Sequence, residues 1–131
     1  MRWLNWFRKK PRPLTGGPRV RRQKTHSAQS GYVYQFYYEG QRKADGGMEF
    51  VFDVSADRKT TFPVVVRVPA DAVTAWERAH GRELIANEWY AIAKMSLVAA
   101  FDERPNPGAM AAPIDVSTES VEEILHTLDR D

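Results

Sequence analysis

Cysteine is missing from this chain of 131 residues, which excludes disulfides and thiolate metal sites. Histidine is scarce: His26, His80 and His126 are the three, and no two have the spacing of metal ligands. There is no P-loop, no G-x-G-x-x-G run and no G-x-S-x-G nucleophile elbow. Long apolar runs are absent as well. No h-region of about 7–15 apolar residues follows the basic residues at the start, so no secretory signal is expected and the cytoplasm is the default compartment. The apolar runs flanking Lys94 fall far short of the ~20 residues that span a bilayer. No segment repeats.

Acidic residues are absent from a long stretch, and that absence is the most informative. Residues 1–30 carry Arg2, Arg8, Lys9, Lys10, Arg12, Arg19, Arg21, Arg22 and Lys24 and no Asp or Glu. All 17 acids lie in residues 31–131, against the remaining ten Lys and Arg, so a basic arm precedes a body of net charge −7. The whole-chain value of +2 hides this split. Such asymmetry points the arm at an anionic surface: a membrane, a nucleic acid or an acidic protein patch.

Within the arm, residues 1–10 form a basic-aromatic amphipathic segment. On a helix, Trp3, Leu4, Trp6 and Phe7 share one side, with Arg2, Arg8, Lys9 and Lys10 around them. Tryptophan rings suit a membrane–water interface and Lys and Arg pair with anionic lipid. The same side chains suit the groove of a partner protein or the chain's own sheet. Residues 11–30 read as a flexible basic linker, with Pro11, Pro13, Gly16, Gly17 and Pro18 ahead of a polar, charged run. Here Arg19, Arg21, Arg22 and Lys24 are the candidate nucleic-acid contacts, since an extended basic segment tracks phosphates without sequence preference.

Residues 31–131 read as a single α+β domain, of a length common for one domain. Tyr32, Tyr34, Phe36 and Tyr38 alternate with other residues at the period of a strand. Asp45-Gly46 signals a hairpin turn. Met48, Phe50, Phe52 and Val54 mark a second strand, and Phe62, Val64, Val66 and Val68 a third. The expected sheet is a three-stranded antiparallel β-meander, with Pro63 at an edge or at a strand start. Its back face mixes Val33, Tyr37, Val51 and Val65 with charged residues, which makes these four the candidate protein interface, including one between copies of the chain.

Two helices are expected after the meander. The first runs from Pro69 to His80, with Val73 and Trp76 facing inward and Gly81 as its stop. The second, Asn87 to Arg104, is long, and between Trp89 and Phe101 it carries only Lys94 as a charge, so it reads as buried, with Asn87 as its cap. A loop rich in Pro, Gly and Ala leads to a C-terminal amphipathic helix, capped by Ser117 or Thr118, with Val121, Ile124, Leu125 and Leu128 inward.

No catalytic constellation emerges. Glu49 and Asp53 stand four residues apart on one strand, roughly 13 Å, too far to share a proton. They read as surface charges facing Arg67. Lys94 is the one residue whose proton affinity burial would perturb, and a pocket beside it is the obvious place for a ligand. The order of three strands then a helix also occurs in double-stranded-RNA-binding domains, but the acidic body argues against that use. The sequence therefore predicts a non-enzymatic interaction or adaptor module without cofactor, metal or small-molecule substrate. Its expected partner is a protein or an anionic membrane surface, with nucleic acid as the alternative. The expected location is cytoplasmic, with peripheral membrane attachment through the arm.

Overall fold

The structure is a computed structural model, and it describes residues 12–129. It is α+β. In chain order the elements are β1 (Lys24–Ser27), β2 (Val33–Ala44), β3 (Gly47–Ser55), β4 (Phe62–Pro69), α1 (Ala70–His80), α2 (Ala86–Glu103), α3 (Pro107–Met110), β5 (Ile114–Asp115) and α4 (Thr118–Asp129). The predicted meander is present as β2, β3 and β4, paired antiparallel. Asp45 and Gly46 make the two-residue turn between Ala44 and Gly47, and Gly46 has the positive φ of 84° that such a turn requires.

The sheet has five strands in the order β1-β2-β3-β4-β5, and the expectation of three is corrected at both edges. β1 comes from the stretch read as linker, where Lys24 to Ser27 pair with Phe36 to Val33. The four residues KTHS carry no apolar alternation. They are held by the open ladder of β2, which the local pattern cannot report. At the other edge Ile114 and Asp115 pair parallel to Val66 and Arg67 of β4. A parallel neighbour needs a long crossover, which the helices between β4 and β5 supply. Thus β4 is no edge strand, and Pro63 sits near its start, where the two-residue β5 does not reach.

The front face of the sheet is the apolar one. Tyr34, Phe36, Phe50, Phe52, Val54, Val64, Val66 and Val68 are buried there, with Val73, Trp76, Ile92, Leu97, Phe101, Val121 and Leu125 from the helices. Full burial of each large side chain contributes ~1.5–3 kcal/mol relative to exposure. α2 is apolar nearly all round because it is covered twice. Ile92, Ala93, Leu97 and Phe101 are buried in the core, and Met95 and Val98 are partly buried against it, with α4 packed on α2 as well.

Helix ends differ in detail from expectation. Gly81 ends α1 as expected, left-handed at φ 69° with its N–H bonded to Glu77 O at 2.8 Å. α2 begins two residues earlier than a cap at Asn87 implied. Ile85 precedes it, and the Glu88 carboxylate accepts the Ile85 N–H at 3.0 Å. Arg82 holds that carboxylate from outside with two bonds of 2.8 and 2.7 Å. Ser117 is the residue that caps α4, its Oγ accepting the Ser120 N–H at 3.1 Å. The loop after α2 contains the one-turn α3, started by Asn106, whose side chain accepts the Ala109 N–H at 2.9 Å.

Candidate functional site

The basic stretch from Arg12 to Ser27 is laid along the outer edge of β2 as a strap. It is attached at two points. Thr15 exchanges two backbone hydrogen bonds of 2.8 Å with Gln41, and β1 then pairs with the opposite end of β2. Between these points β2 carries a bulge at Tyr38/Gly40. Gly40 has φ 140°, and a Cβ there would lie 2.8 Å from Thr15 O, so only glycine lets the strap approach. Gly17 lies against Glu39 and Gly40 at this bulge, and beyond it the strap divides its side chains between the two faces of the sheet.

Towards the back face, Arg21 is consumed within the molecule. Its guanidinium pairs with Glu39, reaches Asp53 at 3.3 Å and lies 4.3 Å from the centre of the Tyr37 ring. Tyr37 in turn donates to Gln23 Oε1 at 2.9 Å. Of the four back-face residues singled out in the sequence, Tyr37 is therefore partly covered by the strap. Val51 is only 7% exposed, Val65 is half-buried, and Val33 stays open at 40%. Glu49 faces Arg67 as expected, but Asp53 faces Arg21 instead. A charge ladder crosses the sheet nearby, with Arg42 to Glu49 at 2.7 Å, Glu49 to Arg67 at 3.5 Å and Arg67 to Asp115 at 3.7 Å. It borders a hollow of about 590 Å³ whose Arg42 and Arg67 are already matched by acids.

Towards the front, the strap closes a smaller hollow of about 260 Å³ between itself, β2 and the start of α2. Phe36, Tyr38 and Tyr90 form its apolar wall, with Val20 and Pro18 on the strap side and Arg22 and Lys24 at its rim. Tyr38 and Tyr90 meet edge to face at 4.9 Å. Burial, with Tyr90 adding to it, pushes the Tyr38 hydroxyl up to about 12. It stays protonated and donates to Gln41 Oε1 at 3.2 Å. Lys94 lies one turn beyond Tyr90 on α2, with Lys24 as its charged neighbour. Partial burial, and then the neighbouring ammonium, hold Lys94 below the ordinary lysine range. Among the described residues neither lysine, nor Arg22, has an acidic partner.

Further along the same seam the charges match. His26 Nε2 lies 2.9 Å from Asp102 Oδ1, which also accepts the Gln29 N–H at 3.0 Å. These two bonds hold the Asp102 carboxyl below its ordinary value, the histidine contact first. His26 stacks on Phe101, whose ring lies 4.4 Å from that of Tyr34. His80 is bonded to Glu122 at 2.9 Å and stacks on Trp76, while His126 is exposed on α4. Among the described residues no three His, Asp or Glu side chains gather as a metal set, and no helix is long and apolar enough to cross a membrane.

Arg2, Trp3, Leu4, Trp6, Phe7, Arg8, Lys9 and Lys10 lie outside the described residues. Of the phosphate-contact candidates, Arg19 is exposed, Arg21 is engaged, and Arg22 and Lys24 border the front hollow. Tyr90 is the residue that sequence reasoning passed over. Its signal was present, since it precedes Lys94 by four positions and so shares its side of the helix. Comparison with protein-family profiles, with curated proteins and with solved structures finds no match.

Proposed function

We propose that the chain is a non-catalytic interaction module, attached through Arg2, Trp3, Leu4, Trp6, Phe7, Arg8, Lys9 and Lys10 to an anionic membrane surface or to a large protein assembly, with the membrane as the leading target. The observation that carries this reading is the charge layout, with nine cations and no acid in residues 1–30 ahead of a body of net charge −7. Each basic residue near an anionic leaflet is worth roughly 1 kcal/mol, and the aromatic residues add interfacial burial. The strap supports it further. Thr15 and β1 tie the chain to the sheet edge, so residues 1–10 stand a few positions from a firm attachment point. A target held by them is thereby held close to the domain. Removing residues 1–10 is expected to abolish partitioning onto anionic vesicles; retained partitioning would count against the arm.

The second reading is a nucleic-acid-associated protein that contacts phosphates with the strap. It is favoured by the openness of Arg19, Arg22 and Lys24, which have no acidic partner among the described residues. Arg21 is spent on Glu39 and Asp53. Three phosphate contacts imply a log–log salt slope of about −2 to −3. Binding that ignores salt, or a slope unchanged by replacing these three residues, ends this reading.

A further inference from the structure

α2 and α4 pack on each other and leave a trough along their contact. It holds about 470 Å³, within the ~300–1,000 Å³ range of small-molecule sites. Ser96 of α2 belongs to its lining and is only 8% exposed. A serine in mid-helix ordinarily bonds the carbonyl four residues back or turns to water. Ser96 Oγ does neither, and it has no hydrogen-bond partner among the described residues. A buried hydroxyl left in that state opposes folding, and a polar group entering the trough removes the cost.

Charge decides what kind of group that is. Glu103 on α2 and Glu123 on α4 stand exposed at the rim. Neither carboxylate has an ion pair among the described residues. Arg104, the cation in the lining, is spent: its guanidinium donates to the carbonyls of Ala109, Ala112 and Pro113 at 3.1, 2.6 and 2.9 Å. An ammonium group, with three N–H donors and no acceptor, satisfies a hydroxyl oxygen and carboxylates together. Shape decides the rest. Ser96 and Glu103 are seven residues apart on one side of α2, about 10 Å at ~1.5 Å per residue. Between them stand the small side chains of Ala99 and Ala100, with Ile124 opposite on α4. Such a floor suits a narrow alkyl chain with a charge at each end.

We propose that the trough between α2 and α4 binds a linear aliphatic diammonium ion, one head donating to Ser96 Oγ and the other held by Glu103, with Glu123 completing the charge balance from α4. Two unengaged carboxylates then meet two positive charges, and the Ser96 hydroxyl gains its partner. The site is independent of the attachment assigned to residues 1–10, and it departs from the sequence expectation that no small molecule is bound.

The test is a titration of the full chain with diaminobutane, followed by amide chemical shifts, beside butanediol and magnesium chloride as controls for shape and for charge. Saturable shifts at Ser96 to Glu103 and Ser120 to Thr127 are expected with the diamine. The uncharged diol is expected to bind at least tenfold more weakly, and magnesium at equal concentration not to displace the diamine. Ser96→Ala removes the unpartnered hydroxyl, so it is expected to unfold at the same midpoint or higher while binding the diamine about fivefold more weakly. Glu123→Gln, at an exposed helix position, is expected to weaken binding about tenfold without altering the fold. Equal binding of diamine and diol, shifts confined to other acidic surfaces, displacement by magnesium alone, or full affinity in either folded variant would each overturn the assignment.

Discussion

His26 Nε2 and Asp102 Oδ1 stand 2.9 Å apart and tie the first strand to the last turn of the long helix. The Asp102 carboxyl is held below its ordinary value by this contact and by the Gln29 N–H. A carboxyl with a depressed folded-state pKa contributes stability above its unfolded value of about 3.9, and that contribution is lost as pH falls through the lower folded value. Asp102→Asn is therefore expected to be less stable than the parent at neutral pH, with the gap closing below about pH 4. Urea unfolding of both proteins across the acid range checks this. Parallel curves would show that the pair contributes nothing to acid sensitivity.

The strap depends on Gly40. With φ at 140° and Thr15 O only 2.8 Å from where a Cβ would stand, Gly40→Val forces the strap away from β2. The expected loss is about 1–3 kcal/mol, the usual scale for a side chain forced into such backbone. Hydrogen exchange gives the local readout, because the Thr15 and Gln41 amides bond each other's carbonyls. Loss of their protection with the core amides unchanged is the expected result. Unchanged protection would mean that the strap is not seated through the glycine.

Tyr34 is fully buried against Phe101, yet its hydroxyl finds no partner among the described side chains and backbone. An unsatisfied buried hydroxyl costs ~1–3 kcal/mol, so Tyr34→Phe is expected to be at least as stable as the parent, with a gain of up to about 2 kcal/mol. Thermal unfolding decides it. A loss of stability would reveal a partner for the hydroxyl.

Arg58 is the only non-glycine among the described residues with a positive φ, at 63°, in the turn between β3 and β4. The Asp57 carboxylate organises this turn by accepting the Lys59 and Thr60 N–H groups at 2.8 and 2.9 Å, and the same bonds hold it well below the ordinary carboxylate range. Ser55 Oγ accepts the Arg58 N–H, a bond that glycine retains. Relief of the left-handed penalty of about 1–2 kcal/mol exceeds the entropic cost of glycine, about 0.5–1 kcal/mol. Arg58→Gly is thus expected to raise the unfolding midpoint slightly, and a lowered midpoint would contradict this balance.

What could be read from the chain depended on whether the signal was local. The alternation of Tyr34, Phe36 and Tyr38, the Asp45-Gly46 turn and Gly81 after α1 all act within a few residues, and all appear where expected. β1 and β5 have no such signal. Lys24–Ser27 and Ile114–Asp115 are strands because open ladders on β2 and β4 accept them, which is a property of the partner. The start of α2 shifted for a different reason, a contest between two local signals. Glu88, steadied by Arg82, serves the backbone of Ile85, so Asn87 is not used as a cap. The basic run shows the same limit at the candidate site. Arg21 and Arg22 are neighbours in a row of charges, but the strap turns one to Glu39 and Asp53 and the other to the front hollow.

The most direct measurement is co-sedimentation of the full chain with anionic and with neutral vesicles, beside the chain lacking residues 1–10 and beside a Trp3→Ala, Trp6→Ala variant. The account predicts that the full chain sediments with anionic vesicles only. The shortened chain is predicted to stay in solution, and the double variant to sediment weakly. A full chain that remains in solution with both vesicles, or a shortened chain that sediments as well as the full one, would contradict membrane attachment through the arm.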